Sequence, residues 1–462
     1  MSIPHRTLLP DAGERSCALP GTDSSDARRA GHLVRSLGGQ LGSQALLAAV
    51  GMAALPLLAR NLGPGRYANF SLAIAILGLA SQLDVVRPRF VRSFARGEVD
   101  REELSTLWTV DLLLVAGLAT LVATLGLGAS AALPIGVGAL CFAGASREFA
   151  LLSARGRVGT ATAVRNLGWA AATLGAVLVT SLQPAGWTWL WCFPTANLGI
   201  LVTYRALLGG LGEPVRALPG VGFDRAAWSR LVREVRDLLG HGLSVLVLGS
   251  ADKLILERRA TDATTSGAYM GQYDLAVKVH VISTALGATL YPQLSRAIQV
   301  EGREAAAHCF LDFASKVAVA YFVGLALMIA FHEDLVRVVL GPDFAPAAPL
   351  FAWMLPGVFL AHFGFLFTPW QRARGDFASQ RRAYGTGAFV MLVVGVIAIP
   401  RFGAPGAVAT YLAARAAECL LLLGERRSLG LEHRPTARLA CAAAMAAALF
   451  ALAWYRTGGL AL

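Results

Sequence analysis

The chain has 462 residues, of which 55% are hydrophobic and only 15% charged, with a formal net charge of +12. Soluble proteins carry about 25% charged residues, so this composition, with its mean hydropathy of +0.56, excludes a string of soluble domains and describes an all-α polytopic membrane protein. The basic excess does not point to nucleic acid, because Arg and Lys fall in short connections between apolar runs.

Residues 1–34 hold no apolar run and read as a disordered cytoplasmic tail without a signal peptide. A membrane-spanning helix needs about 20 apolar residues. Six candidates follow, at 36–59, 67–87, 105–127, 133–154, 160–182 and 187–208. A polar, basic cytoplasmic linker at 209–235 precedes seven more, at 236–257, 267–295, 310–331, 348–370, 383–400, 404–424 and 437–456. The expected division is therefore a helical half at 35–208, the linker, a second half at 236–424, and a basic loop with a thirteenth segment in 425–462. That last segment is Ala-rich and either spans or lies on the surface.

The halves share an outline. One apolar helix ends at Arg60, Gly65-Arg66-Tyr67 makes a turn, and a helix runs to Arg87-Pro88-Arg89. About 200 residues later a helix carries Asp252-Lys253, Gly267-Ala268-Tyr269 makes the turn, and a helix runs past Pro292 to Arg296. Related halves with charged interiors point to a transporter.

With the amino terminus inside, 30 Lys and Arg fall in the inner tail and inner loops, seven in outer loops, and four within spans: Arg147, Lys253, Lys278 and Arg415. This bias sets the orientation. Trp187, Trp189 and Trp191 then open the sixth span at its outer end, as in an aromatic belt. The six cysteines are scattered without metal or disulfide spacing, and no His cluster, nucleophile motif or phosphate-cradling loop suggests a metal, a cofactor or an enzyme.

Charges at membrane depth are costly and tend to line an interior. The candidates for a substrate path are Arg147, Glu148, Asp252, Lys253, Asp274, Lys278 and Arg415. Asp84 with Arg87, Asp274 with Lys278 and Arg415 with Glu418 are spaced to share one helix face and can neutralise each other locally, which is the simpler reading for the first and last pair, while Lys278, like Arg147, is expected to lend positive charge to the path. Arg147–Glu148 and Asp252–Lys253 are adjacent, about 100° apart on a helix, and cannot cancel on one face. Asp111 stands without a local partner in the third span, and His241 and His362 read as satisfied interface histidines.

Several stretches resemble the polysaccharide flippases of the multidrug/oligosaccharidyl-lipid/polysaccharide exporter superfamily. PLLARNLGPGRYANFSLAIAILGLASQLDVVRPRFVRSFARG is similar to their first two helices, and ADKLILERRATDATTSGAYMGQYDLA to the seventh-to-eighth helix motif. VVLGPDFAPAAPLFAWMLP resembles the outer amphipathic turn, and WQRARGDFASQRRAY the inner connection after it. The likeness covers roughly 36–424; Ala68 stands where Gly is usual, and thirteen spans depart from twelve or fourteen. The resemblance implies two six-helix lobes around a central cavity, working by alternating access. It implies export of an undecaprenyl-diphosphate-linked oligosaccharide across the bacterial inner membrane for O-antigen, capsule or exopolysaccharide. Membrane lipids and polysaccharide assembly proteins are the expected partners. Alternatives are a lipid II flippase or a multidrug–cation antiporter of the same superfamily, or a membrane enzyme of polysaccharide assembly.

Overall fold

The computed structural model describes residues 24–83, 105–106, 109, 112–113, 117–155, 157–184, 186–210, 225–259, 263–424 and 435–459. Among the described residues the chain is helical, with no strand. In order come α1 (Ser24–Leu83), α2 (Gly117–Leu127), α3 (Ala129–Ala154), α4 (Val158–Leu182) and α5 (Cys192–Gly210). Then follow α6 (Arg225–Arg259), α7 (Ala263–Lys278), α8 (His280–Val300), α9 (Arg303–Ala330) and α10 (His332–Val339). Last are a 3₁₀ turn (Pro342–Ala347), α11 (Ala348–Ala373), α12 (Phe377–Gly424) and α13 (Pro435–Thr457).

Among the described residues, six stretches are long and apolar enough to cross a membrane: Gly42–Gly78, Ala129–Ser153, Val158–Leu182, Arg303–Ala330, Pro342–Ala373 and Phe377–Leu422. The first and last are bent and each holds two of the expected spans. The bends sit at Gly63 (φ 64°) and Gly403 (φ 59°). Positive φ is cheap only for glycine. Pro64 then opens the next helix without losing a hydrogen bond, since the first amide of a helix has no partner to lose.

Helix α4 shows how sequence becomes packing. Its buried face is small or polar, with Gly159, Ala161, Thr162, Asn166, Ala170 and Ala176. Leu167, Leu174, Leu178 and Leu182 are exposed on the other side, as suits a lipid-facing surface. Small inward residues let membrane helices approach closely. Inside, Asn166 donates to Ser43 of α1 at 3.0 Å, and Tyr204 of α5 donates to the Ala161 carbonyl at 2.6 Å.

Helices α1 to α5 pack on one another as one lobe, and α6 to α12 as the other. The second lobe has the larger aromatic core, including Trp370 stacked on Phe310 at 5.3 Å. Helix α13 lies against α9 and α11, where Trp353 donates to Thr457 at 3.0 Å. The lobes meet where α1 crosses α6 and α7.

Some boundaries differ from the sequence reading. Helix α1 begins at Ser24, so residues 24–34 are helical where a disordered tail was expected; residues 1–23 lie outside the described residues. No proline interrupts the chain between Ser24 and Pro56. Helix α6 begins at Arg225, well inside the expected linker, because neither glycine nor proline occurs from 225 to 239. The expected span 267–295 is divided at Val279 into α7 and α8, with short-range bonds from the Val279 amide to the Ala276 carbonyl and from the Ile282 amide to the Val279 carbonyl. Asp84, the inner loop at Arg87–Arg101 and Asp111 lie outside the described residues.

Candidate functional site: a charged seam between the lobes

The two Gly-x-Tyr motifs, expected as turns, are helical instead, residues 65–67 just after the Gly63 bend of α1 and residues 267–269 within the first turns of α7, and they meet at one end of the interlobe seam. A Cβ on Gly65 would lie 3.9 Å from that of Ala263, and one on Gly267 would collide with the Pro64 carbonyl. Gly267 therefore permits backbone-to-backbone contact between lobes, and any larger residue there must push them apart. Phe344 of the 3₁₀ turn closes over this contact. Its ring packs edge-on to Tyr67 at 5.8 Å and against Gly271, and Gln272 donates to its carbonyl at 3.1 Å. Arg60 of α1 reaches across to the Val338 carbonyl at 2.7 Å.

Beneath this contact, the tyrosine of each motif serves an acid of the second lobe. Tyr67 donates to Asp274 Oδ2 at 3.1 Å across the seam, while Tyr269 donates to Asp252 within its own lobe. Lys253 places its Nζ 2.8 Å from Asp274 Oδ1 and 3.0 Å from Ser71 Oγ of α1, and 4.4 Å from the Tyr273 ring centroid. Asp252 and Lys253 thus take different partners, as adjacent helical residues must. Four residues on from Asp274, Lys278 points its Nζ at Gly51 of α1, where an added Cβ would come within 3.1 Å. Asp274 takes Lys253 and Tyr67 rather than serving only as a neutralising neighbour for Lys278.

The polar groups continue into the second lobe. Tyr273 meets Tyr411 edge-on at 5.6 Å, Arg415 lies over the Tyr411 ring at 5.4 Å, and Arg415 pairs with Glu418 at 2.7 Å. This last pair is the local neutralisation that its spacing implies. Beyond it, Tyr384 meets Thr368 at 3.1 Å, and Gln380 donates to His241 at 3.1 Å. His362 is bonded to Ser283 at 2.6 Å and stacked on Tyr321 at 4.0 Å.

The structure therefore brings Lys253, Asp274 and Lys278 to the seam, holds Asp252 on Tyr269 inside the second lobe, and links Lys253 to Arg415 through Tyr273 and Tyr411. Arg147 and Glu148 stand elsewhere, buried in the first lobe, where Glu148 faces Arg205 of α5 at 3.5 Å. Nearby, a small cleft is lined by Phe142, Ser146, Phe149, Arg165, Asn197 and Tyr204. Sequence reasoning missed Tyr67, Ser71, Tyr273 and Tyr411. The repeated Gly-x-Tyr motif was the signal for Tyr67; the others look like ordinary apolar-helix residues.

No protein-family profile matches the chain, and no curated protein matches it. Solved structures do. What they have in common with it is a two-lobed, all-helical membrane fold. The chain is similar to the lipid II flippase MurJ in an inward closed conformation, with TM-score 0.64 at 9% identity, covering 89% of this chain and 98% of that one. It is similar to an inward-facing MATE multidrug resistance transporter, with TM-score 0.56 at 12% identity, covering 85% and 95%. A mutant of the Vibrio cholerae MATE transporter VcmN gives TM-score 0.55 at 12% identity, covering 88% and 99%. At these identities the likeness is one of fold.

Proposed function

We propose that the chain is a flippase that carries an undecaprenyl-diphosphate-linked oligosaccharide across the bacterial inner membrane by alternating access. It would serve O-antigen, capsule or exopolysaccharide assembly, driven by an ion gradient or the membrane potential. The amino terminus is cytoplasmic in this reading, so the end closed by Arg60, Gly65 and Gly267 is the outer one. The observation that carries the reading is the charged seam: Lys253 and Lys278 lie where the two lobes meet, in a fold shared with a lipid flippase. A diphosphate needs such donors, while its lipid tail can stay in the bilayer. Arg415 lies deeper along the same polar chain.

The test is a deletion strain, with lipid-linked saccharides extracted and analysed. Accumulation of a complete, unexported repeat unit, relieved by the wild-type gene, is the expected result; normal polymer and no accumulation would refute the reading. The similarity to MurJ favours lipid II as the second candidate cargo. Rescue of a strain depleted of its lipid II flippase would decide for that cargo.

A further inference from the structure

The bonds around Asp274 describe an anion seat that is already filled. Lys253 is nearly enclosed, with 4% of its side chain exposed, whereas Asp274 keeps 20%. The two carboxylate oxygens take one donor from each lobe, Lys253 at 2.8 Å and Tyr67 at 3.1 Å. If the carboxylate is withdrawn, the groups left facing the gap are an ammonium, the Tyr67 hydroxyl and the Ser71 hydroxyl, with the Lys278 ammonium one turn further along α7. Every one of these can donate to a phosphate oxygen. Asp274 is also on the helix that ends in the irregular step at Val279, so the carboxylate rides on a short segment with a natural hinge.

We propose that Asp274 is an internal stand-in for the cargo's diphosphate. In the closed seam its carboxylate occupies the donors of Tyr67 and Lys253, and Lys253 donates in addition to Ser71. An arriving diphosphate takes those donors, and Asp274 is displaced. The bond from Tyr67 to Asp274 is one of the ties that hold the lobes together at this end, so occupation of the seat and release of the seam are one event. A cargo without a diphosphate cannot make the exchange, which gives the transporter selectivity for the carrier's head rather than for the sugar. This inference rests on the proposed function and adds to it a seat and a release step.

The test uses the full chain in phosphatidylcholine nanodiscs with inorganic pyrophosphate as the probe. Binding is read by calorimetry, and the seam by disulfide formation between Gly65→Cys and Ala263→Cys in a background lacking the six native cysteines. Asp274→Asn, which removes the competing anion, is expected to tighten pyrophosphate binding at least tenfold. Lys253→Gln is expected to abolish it. Glu257→Gln removes an equal charge that is bonded to Ser266 instead, and is expected to change affinity less than twofold. Pyrophosphate is expected to slow disulfide formation at least threefold when Asp274 is present.

The proposal is overturned if Asp274→Asn binds no tighter than wild type, or if pyrophosphate binds without slowing disulfide formation. Should Asp274→Asn fail to fold, the disulfide measurement in the unaltered seam decides alone. Adding phosphatidylglycerol to the nanodiscs separates the sources of phosphate: if it releases the seam as strongly as pyrophosphate, the seat reads ordinary lipid headgroups and the diphosphate assignment falls. Farnesyl diphosphate is expected to act like pyrophosphate. If the deletion strain accumulates no lipid-linked intermediate while pyrophosphate still competes with Asp274, the proposed function fails and the seat stands. The opposite pair of results overturns the seat and leaves the function.

Discussion

Tyr67→Phe isolates one bond of the seam. Tyr67 is 1% exposed and its ring packs on Phe70 and Phe344, both at 5.8 Å, so phenylalanine keeps the packing and loses only the hydroxyl. That hydroxyl is the donor to Asp274 at 3.1 Å from the other lobe, and Asp274 retains Lys253 when it is gone. A hydrogen bond to a charged group contributes roughly 1.5–3 kcal/mol. Because the bond exists only while the lobes are closed, the whole amount falls on the closed-to-open equilibrium. The open fraction is then expected to rise roughly 10- to 100-fold, at about 1.4 kcal/mol per decade. The reporter is a cysteine at Ser71, a residue 2% exposed whose Oγ touches Lys253 across the seam. A thiol there reacts with a membrane-impermeant maleimide only when the seam parts. Comparing Ser71→Cys with Ser71→Cys/Tyr67→Phe, the labelling rate is expected to rise by that factor, with unchanged abundance and melting temperature. A change below twofold in a folded protein would mean that the Tyr67–Asp274 bond does not hold the lobes together, and the reasoning from the seam would fail with it.

Two further perturbations separate packing from charge. Gly267→Ala puts a methyl group into the Pro64 carbonyl, so it is expected to keep each lobe folded while abolishing disulfide formation between Gly65→Cys and Ala263→Cys; efficient disulfide formation in that variant would show that the backbone contact is dispensable. Arg415→Gln leaves Glu418, which is 1% exposed, without its ion-pair partner, a loss of about 3–5 kcal/mol for a buried pair, so abundance and thermal stability are expected to fall and to recover in Arg415→Gln/Glu418→Gln. Equal stability of the single and double variants would argue that the pair is not held as the structure shows it.

What could be read from the sequence follows a physical division. The helices were legible because an apolar run in lipid has few alternatives to a helix, and Gly63-Pro64 and Gly403 mark their reversals because glycine tolerates positive φ. Helix ends were less legible where a span continues as a soluble helix, as α6 does from Arg225, since composition changes there and the backbone does not. In the site, the charged residues declared themselves by their cost, but their partners did not. Spacing offers Asp274 only Lys278, whereas the folded chain also gives it Lys253 from 21 residues away and Tyr67 from 207 residues away. A hydroxyl costs little in an apolar helix and so leaves no mark in composition, yet Tyr67 and Ser71 are the groups by which the first lobe meets the charges of the second. Those charges are all contributed by α6 and α7, so the first lobe meets them with neutral hydroxyls, Tyr67 donating and Ser71 accepting, and with backbone. That asymmetry has a mechanical consequence. When the lobes part, Lys253 and Asp274 can stay together in the second lobe, and Arg60, the first-lobe cation that reaches the Val338 carbonyl, is exposed and passes to solvent, so no buried ion is left unpaired at this pair. Opening therefore breaks hydrogen bonds rather than stranding buried charge, which keeps the closed state shallow enough for the proposed cargo anion to compete with it.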